Sequence, residues 1–148
     1  MIPLNIMIGT YEAFYGFITL ILIIIIETLI ISYGLTNKYF QKNILITLLA
    51  SNLISTFFGL LGFLDAIFKV IWKFIKLNVP LSEEYSGYVM GTTFLLTAFL
   101  LTLLIEIPLN IIMLRQYYSI KQIIKYSIYA NLLTYIFLSI IFIIIFND

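Results

Sequence analysis

The chain has 148 residues, a net charge of +1 and a mean hydropathy of +1.14; 63% of its residues are hydrophobic and 10% are charged. A soluble domain carries about 25% charged residues, so a soluble globular fold is excluded. The near-neutral charge argues against nucleic acid as a partner. The absence of Cys and His removes disulfides, thiolate chemistry and the usual zinc and haem sites, so we expect no cofactor and no bound metal.

Four apolar stretches are each long enough for a membrane-spanning helix, which needs about 20 apolar residues. They cover residues 12–35, 43–64, 86–113 and 122–146. The sequence therefore predicts an all-α polytopic membrane protein with four transmembrane helices, arranged as two tandem helical hairpins in a single membrane domain (1–148). Repeat one is expected at 12–64, a short interfacial amphipathic helix at 65–78 and repeat two at 84–146.

The first stretch is predicted to be a retained helix rather than a signal peptide. No Lys or Arg precedes its apolar run, and Glu27 interrupts the run itself. Aromatic residues near its start, including Tyr11 and Phe17, are typical of a membrane–water interface.

Small residues recur every three or four positions along the second stretch, at Ser51, Ser55, Gly59 and Gly62. Small residues at this spacing let helices approach closely within lipid. We interpret them as a packing surface rather than as a binding site.

The segment 65–78 is amphipathic, because Asp65 and three Lys residues recur on one face between apolar residues. One interpretation is a continuation of the second helix whose lysines extend toward the interface. The other is an interfacial helix that contacts lipid headgroups or a partner. The candidate lipid contacts are Lys69, Lys73, Lys76 and Trp72.

The third stretch places Thr102, Glu106 and Asn110 on one face, since each follows the previous one after a little more than one helical turn. Pro108 removes a backbone hydrogen bond and is expected to kink the helix beside the carboxyl group. Upstream, Glu83 and Glu84 could gather a divalent ion with an acidic residue of 65–78, although solvated interface charges are the commoner explanation.

Basic residues are distributed unequally between the two sides of a four-span topology. Five of them flank the first and third loops, whereas the other side carries three Lys residues partly offset by acidic ones. The positive-inside rule then places these two loops in the cytoplasm and both termini outside. We expect a multi-pass protein of a prokaryotic cytoplasmic membrane.

An internal repeat links the two halves. Glu27 and Asn52 are separated along the chain by the same distance as Glu106 and Asn131. At about 1.5 Å per residue, all four side chains lie roughly 12–15 Å from the same membrane face. Antiparallel neighbouring helices would bring each Glu level with its Asn. Because each repeat contains two spans, the copies run in the same direction, as in parallel-repeat transporters.

An ionised carboxylate at this depth is costly, by about 2.5–3.5 kcal/mol or more. Every Lys and Arg falls at a loop or interface, so three arrangements remain. Each Glu is protonated and hydrogen-bonded to its Asn, or the carboxylates face a wet cavity and bind a cation, or another subunit supplies a basic residue.

The functional hypothesis is a small transporter or channel-like unit that handles protons or cations. Its site would contain Glu27, Asn52, Glu106 and Asn131, with Thr102 and Asn110 extending the polar face. Four helices leave little room for a pore, so a homo-oligomer is expected. The alternative is a non-catalytic accessory subunit of a larger membrane complex, in which the Glu–Asn pairs staple the hairpins. Catalysis is not expected, because no nucleophile–base pair can be found without His, Cys or a buried Lys.

Overall fold

The computed structural model describes residues 4–79 and 83–146, with side chains described for 17–59, 61–79 and 86–140. Its five helices are α1 (Leu4–Thr36), α2 (Lys42–Leu60), α3 (Phe63–Asn78), α4 (Glu83–Leu114) and α5 (Ile120–Phe146). All except α3 contain a segment long and apolar enough to cross a membrane. The predicted all-helical protein with four apolar spans is therefore confirmed.

The helix bounds differ from the expected ones mainly at the amino-terminal ends. Helix α1 begins at Leu4 rather than at residue 12, and α4 begins at Glu83 rather than at 86. The expected starts marked the apolar stretches that suit a membrane span, and the helical backbone of the described residues extends beyond those limits. Helix α4 also continues through Pro108, which leaves the carbonyl of Leu104 without its usual amide partner.

A glycine separates α2 from α3. Gly62 has a φ of 83°, a left-handed conformation that glycine adopts without strain. Its amide donates to the carbonyl of Gly59, while its own carbonyl accepts from the amide of Ala66 and opens the next helix. The second helix therefore ends at Leu60 instead of continuing to residue 64.

The loop between α1 and α2 is held by hydroxyl groups at the end of α1. Asn37 adopts a φ of 57°, which Asn tolerates better than most residues. The amide of Lys38 donates to Thr36 Oγ1 at 3.2 Å, and the amide of Gln41 donates to Ser32 Oγ at 3.2 Å. These bonds satisfy backbone groups where the helix ladder stops.

The four long helices form a bundle of square cross-section. Helix α1 packs against α2 and α5, while α4 packs against α2 and α5. Over the described ranges, α1 makes no backbone contact with α4, nor α2 with α5, so these pairs lie on the diagonals of the square. Helix α3 packs outside the bundle, against α2 and α4.

Burial is inverted relative to a soluble protein. Among the described side chains, the buried set contains twelve polar or charged residues and seven apolar ones, whereas large apolar side chains are exposed along all the helices. This is the distribution expected of a bundle surrounded by lipid.

The apolar core lies at one end of the bundle. It lies toward the loops that join α1 to α2 and α4 to α5, which we call the loop side. The core residues are Ile31, Ile44, Leu48, Leu114, Ile123 and Ala130.

Candidate functional site: a polar ring across four helices

Glu27 of α1 is buried and faces Asn52 of α2. Asn52 Nδ2 donates to Glu27 Oε2 at 2.8 Å and to the backbone carbonyl of Leu48 at 3.0 Å. Glu27 and Asn52 are 1% and 4% exposed. The Asn side chain thus uses both of its amide protons, one within its own helix and one between helices.

Glu106 of α4 and Asn131 of α5 make the corresponding contact. Asn131 Nδ2 donates to Glu106 Oε2 at 3.2 Å and to the carbonyl of Ser127 at 3.2 Å. Glu27 and Glu106 are separated along the chain by the same number of residues as Asn52 and Asn131. Leu48 and Ser127, which supply the backbone acceptors, are separated by that same number. The two arrangements therefore correspond atom for atom.

Two hydroxyl groups join these pairs across the bundle. Ser55 Oγ of α2 lies 2.7 Å from Glu106 Oε1, and Thr134 Oγ1 of α5 lies 3.3 Å from Glu27 Oε1. Ser55 and Thr134 are related by the same offset as the two Glu residues. Each carboxyl group is thus bonded to the Asn of its own half of the chain and to a hydroxyl from the other half.

These contacts close a polar ring through all four long helices. One helical turn connects Asn52 to Ser55, and another connects Asn131 to Thr134. The complete ring contains Glu27, Asn52, Ser55, Glu106, Asn131 and Thr134. The two Glu residues lie on opposite helices of the square, so both carboxyl groups project into the centre of the bundle.

A cavity of about 390 Å³ lies on the opposite side of the ring from the apolar core. We call this the cavity side. Below the ring, buried apolar side chains fill the loop side. The polar ring therefore forms the floor of the cavity. The lining residues outside the ring are Leu20, Ile23, Thr56, Gly59, Leu64, Ala98, Leu101, Thr102, Tyr135 and Leu138.

The structure separates Thr102 and Asn110, which the sequence placed on one face with Glu106. Thr102 lines the cavity, and its hydroxyl lies 2.9 Å from that of Tyr135. Asn110 is buried one turn toward the loop side, where its Nδ2 donates to Ser127 Oγ at 3.1 Å. Thr102 thus adjoins the ring from above and Asn110 from below.

No cation balances the two carboxyl groups within the described residues. The ion pair found there joins Asp65 to Lys69 at 2.6 Å, on the exposed face of α3. The described part of the chain also contains no group of three His, Cys, Asp or Glu side chains that could hold a metal ion. The alternative of a divalent ion at Glu83 and Glu84 concerns side chains that lie outside the described residues.

The candidate lipid contacts lie on α3, away from the ring. Lys76 Nζ is 5.3 Å from the centre of the Trp72 ring, a cation–π distance. Phe68 lies between Trp72 of its own helix and Phe94 of α4, so it attaches α3 to the bundle. Lys69 is paired with Asp65, and Lys73 is exposed. Contact of this helix with a membrane interface stays a prediction.

Sequence analysis did not assign Ser55, Thr134, Ser127 or Tyr135 to the site. The signal for the first two was present, because the offset between the halves aligns Ser55 with Thr134, one helical turn after each Asn. Ser127 and Tyr135 carry no such signal. Their equivalents in the first half are Leu48 and Thr56, which lack a matching side chain.

No protein-family model matches this chain, and neither a curated protein nor a solved structure is significantly similar to it.

Proposed function

We propose that the chain is a proton-handling membrane transport unit in which Glu27 and Glu106 carry the protons. The observation that supports this most is the polar ring itself: two buried carboxyl groups, without a basic partner in the described residues, form the floor of a cavity. Ionisable side chains inside a membrane commonly mark proton or ion pathways. A cavity beside them gives water a place from which protons can enter.

The hydroxyl groups of the ring can accept a hydrogen bond from a protonated carboxyl group. Ser55 has one hydroxyl proton, but its Oγ lies 3.1 Å from the carbonyl of Asn52 and 2.7 Å from Glu106 Oε1. If that proton is donated to the backbone carbonyl, the short contact with Oε1 needs a second proton. A protonated Glu106 supplies it, since the Ser hydroxyl can accept a hydrogen bond as well as donate one.

Thr134 repeats this arrangement at Glu27. Its Oγ1 lies 2.9 Å and 3.0 Å from the carbonyls of Asn131 and Ala130, and 3.3 Å from Glu27 Oε1. With both Glu residues neutral, each Asn donates to Oε2, each carboxyl donates to a hydroxyl, and each hydroxyl donates to its own helix. Every proton then has an acceptor, and the bundle avoids the free-energy cost of two buried charges.

A proton fits this ring better than a metal cation. The amide groups of Asn52 and Asn131 direct N–H donors at the Oε2 atoms, where a cation would need free oxygen lone pairs. The only other titratable side chain of the described cavity lining is Tyr135, whose hydroxyl is bonded to Thr102. We therefore propose protons as the transported species, and the flux test described below distinguishes them from small metal cations.

The duplicated contacts support an origin in two tandem hairpins, α1–α2 and α4–α5, related by an axis along the membrane normal. In the orientation favoured by the positive-inside rule, the cavity side would face outward and the loop side the cytoplasm. We propose a non-enzymatic protein of the bilayer that acts as a homo-oligomer, with α3 at the interface.

The test is proton flux into proteoliposomes under an imposed pH gradient. Glu27→Gln and Glu106→Gln should each abolish flux, because Gln reproduces the hydrogen bonds of a neutral carboxyl group but cannot release its proton. Asp65→Asn is the matched control, since it makes the same chemical change on the exposed face of α3. Full flux in both Gln variants would refute the proposal. Flux that follows Na⁺ or K⁺ instead of protons would identify a cation site.

Chemical modification gives an independent readout of the carboxyl protons. A hydrophobic carbodiimide reacts with protonated carboxyl groups in apolar surroundings, and mass spectrometry locates the adduct. We expect modification of Glu27 and Glu106 that declines as the pH rises, because only the protonated form reacts. Absence of modification at low pH would contradict the proposed protonation.

A structural role in a larger complex is the second candidate, favoured by the way the ring ties all four long helices together. In this case Glu27→Gln and Glu106→Gln would change neither the assembly nor the stability of the protein. Glu27→Leu would weaken the assembly by about 1–2 kcal/mol, because interhelical hydrogen bonds in membranes contribute about 0.6 kcal/mol on average and two are lost. Native mass measurement after gentle solubilisation distinguishes a homo-oligomer from co-purification with other proteins.

A further inference from the structure

Two buried side-chain oxygens lack a hydrogen-bond partner among the described residues. They are Oδ1 of Asn110 and Oδ1 of Asn131. Both residues are essentially inaccessible, at 0% and 1% exposure. Buried polar atoms in native structures are nearly always satisfied, either by protein groups or by ordered water. The interior of this bundle therefore contains two acceptors that require donors.

The two amides meet at one residue of α5. Asn110 Nδ2 donates to Ser127 Oγ at 3.1 Å, and Asn131 Nδ2 donates to the backbone carbonyl of Ser127 at 3.2 Å. Both Asn side chains thus contact Ser127, at the interface of α4 and α5, and each has an unpartnered oxygen. A water molecule has two protons and can satisfy two such acceptors at once.

The residue types at this depth differ between the two halves. Asn110 and Ser127 occupy the positions that Ile31 and Leu48 occupy in the first half of the chain. Asn and Ile have side chains of similar size, whereas Ser is smaller than Leu by two heavy atoms. The side-chain pair in the second half is therefore more polar, and smaller by two heavy atoms, than the apolar pair at the same depth.

We infer that the Oδ1 atoms of Asn110 and Asn131 bind a water molecule that holds the Asn131 amide in position to donate to Glu106. This inference rests on the proposed function. Asn131 bonds directly to Glu106 Oε2, and Asn110 lies one turn nearer to the loop between α4 and α5. With its Oδ1 held by the water, the Asn131 amide keeps its N–H directed at Glu106 Oε2, so the water acts on Glu106 through Asn131.

The first half has buried hydroxyls on its loop side, but they do not form an equivalent site. Thr28, Thr47 and Ser51 donate to backbone carbonyls of their own helix, and Ser32 Oγ accepts from the amide of Gln41. Asn52 Oδ1, the counterpart of Asn131 Oδ1, accepts no hydrogen bond from the described residues either, but Ile31 stands where the second half has Asn110, so the first half has no second amide at this depth. The pair of buried amides is therefore found beside Glu106 and not beside Glu27.

Proton flux in proteoliposomes of the full chain tests this inference with two substitutions of Asn110. Asn110→Ile introduces the residue found at the equivalent position in the first half. It should lower flux by about tenfold, since one well-made hydrogen bond corresponds to roughly that factor in a rate. Asn110→Ser retains a hydroxyl and leaves room for water, so it should keep most of the flux.

Two further readouts separate the possible failures. Carbodiimide modification of Glu106 should persist in Asn110→Ile, because the reagent arrives through the cavity. Full flux in Asn110→Ile, while Glu106→Gln remains inactive, would overturn the water site and leave the proposed function intact. Equal loss of flux in the Ile and Ser variants, with the same thermal unfolding midpoint as the wild type, would assign the effect to the Asn110 side chain itself. That result would also overturn the water site.

A high-resolution experimental structure of the wild-type protein gives the direct test. We expect an ordered water within hydrogen-bond distance of both Oδ1 atoms, and its loss in Asn110→Ile. A dry contact at this position would refute the site irrespective of the flux results.

Discussion

The helix pairs α1–α2 and α4–α5 agree in the polar ring and differ one turn below it. In the ring, Glu, Asn and a hydroxyl residue recur in both pairs with the same partners. Below it, Ile31 and Leu48 of the first pair correspond to Asn110 and Ser127 of the second. A carboxyl group buried in a membrane bundle needs specific hydrogen-bond partners. The space one turn below it can be filled by apolar side chains or by polar side chains that bond to each other. The comparison therefore separates the constrained part of the bundle from the adaptable part.

The difference extends to the contacts between the pairs near the loop side. Gly34 of α1 lies against the ring of Tyr126 of α5 so closely that a Cβ atom added to Gly34 would overlap it. The equivalent positions on α4 and α2 carry Met113 and Thr47. Where α1 meets α5, the small residue is on the first helix and the large one on the second. At the equivalent positions of α4 and α2, the large residue is on α4 and the smaller one on α2.

Gly34→Ala should break this contact and produce the largest loss of stability. The added methyl group must displace Tyr126, and overpacking of this kind costs about 1–3 kcal/mol. Gly59→Ala is the matched control, because a Cβ there meets no neighbouring atom and Ala favours a helix over Gly. Unfolding in a denaturing detergent titration measures both variants. Equal stability of the two would show that Tyr126 moves aside freely.

The bonds that cross between the pairs sharpen the comparison, with a smaller expected effect. Ser55→Ala and Thr134→Val should each destabilise the bundle by about 0.6 kcal/mol, the average for a hydrogen bond between membrane helices. The Ser55 contact should contribute more, since it is 2.7 Å long and the Thr134 contact is 3.3 Å.

Double-mutant cycles identify the partner of each hydroxyl. Ser55→Ala should couple to Glu106→Leu but not to Glu27→Leu, and Thr134→Val should show the reverse pattern. Each pair serves as the control for the other. Coupling of Ser55 to Glu27 would mean that the helices are arranged in a different order around the bundle.

Sequence alone predicted that each Glu lies level with its Asn and gave their hydrogen bond as one of three arrangements, but it did not predict the bonds between the helix pairs. The repeated Glu-to-Asn spacing and the antiparallel direction of adjacent helices are enough to bring Glu27 to Asn52 and Glu106 to Asn131. The crossing bonds depend on α2 lying beside α4 and α1 beside α5, and neither follows from hairpin geometry. Two hairpins can pack in more than one way, and only the assembled bundle specifies which faces meet.

The position of Asn110 shows that periodicity along a helix predicts which face a residue occupies but not which partners it meets. Four residues along a helix correspond to about 6 Å of rise. A residue on the same face as Glu106 can therefore lie at a different depth and find different partners. Asn110 reaches Ser127, not the cavity, and its orphaned oxygen is a property of the packed interface. The break at Gly62 lies a few residues before the boundary predicted between residues 64 and 65, because apolar residues continue through it.

The smallest effect is expected at the carboxyl group that does have a cationic partner. Asp65 pairs with Lys69 one turn later on α3, with both side chains largely exposed. Exposed pairs at this spacing contribute about 0.3–0.5 kcal/mol, so Asp65→Asn should change the unfolding midpoint very little, and added salt should reduce the difference further. A loss as large as that of Glu27→Leu would show that α3 holds Asp65 in an apolar environment. A small loss would show that the Asp65–Lys69 ion pair contributes little where water surrounds it, in contrast to the hydrogen bonds of the buried Glu27 and Glu106.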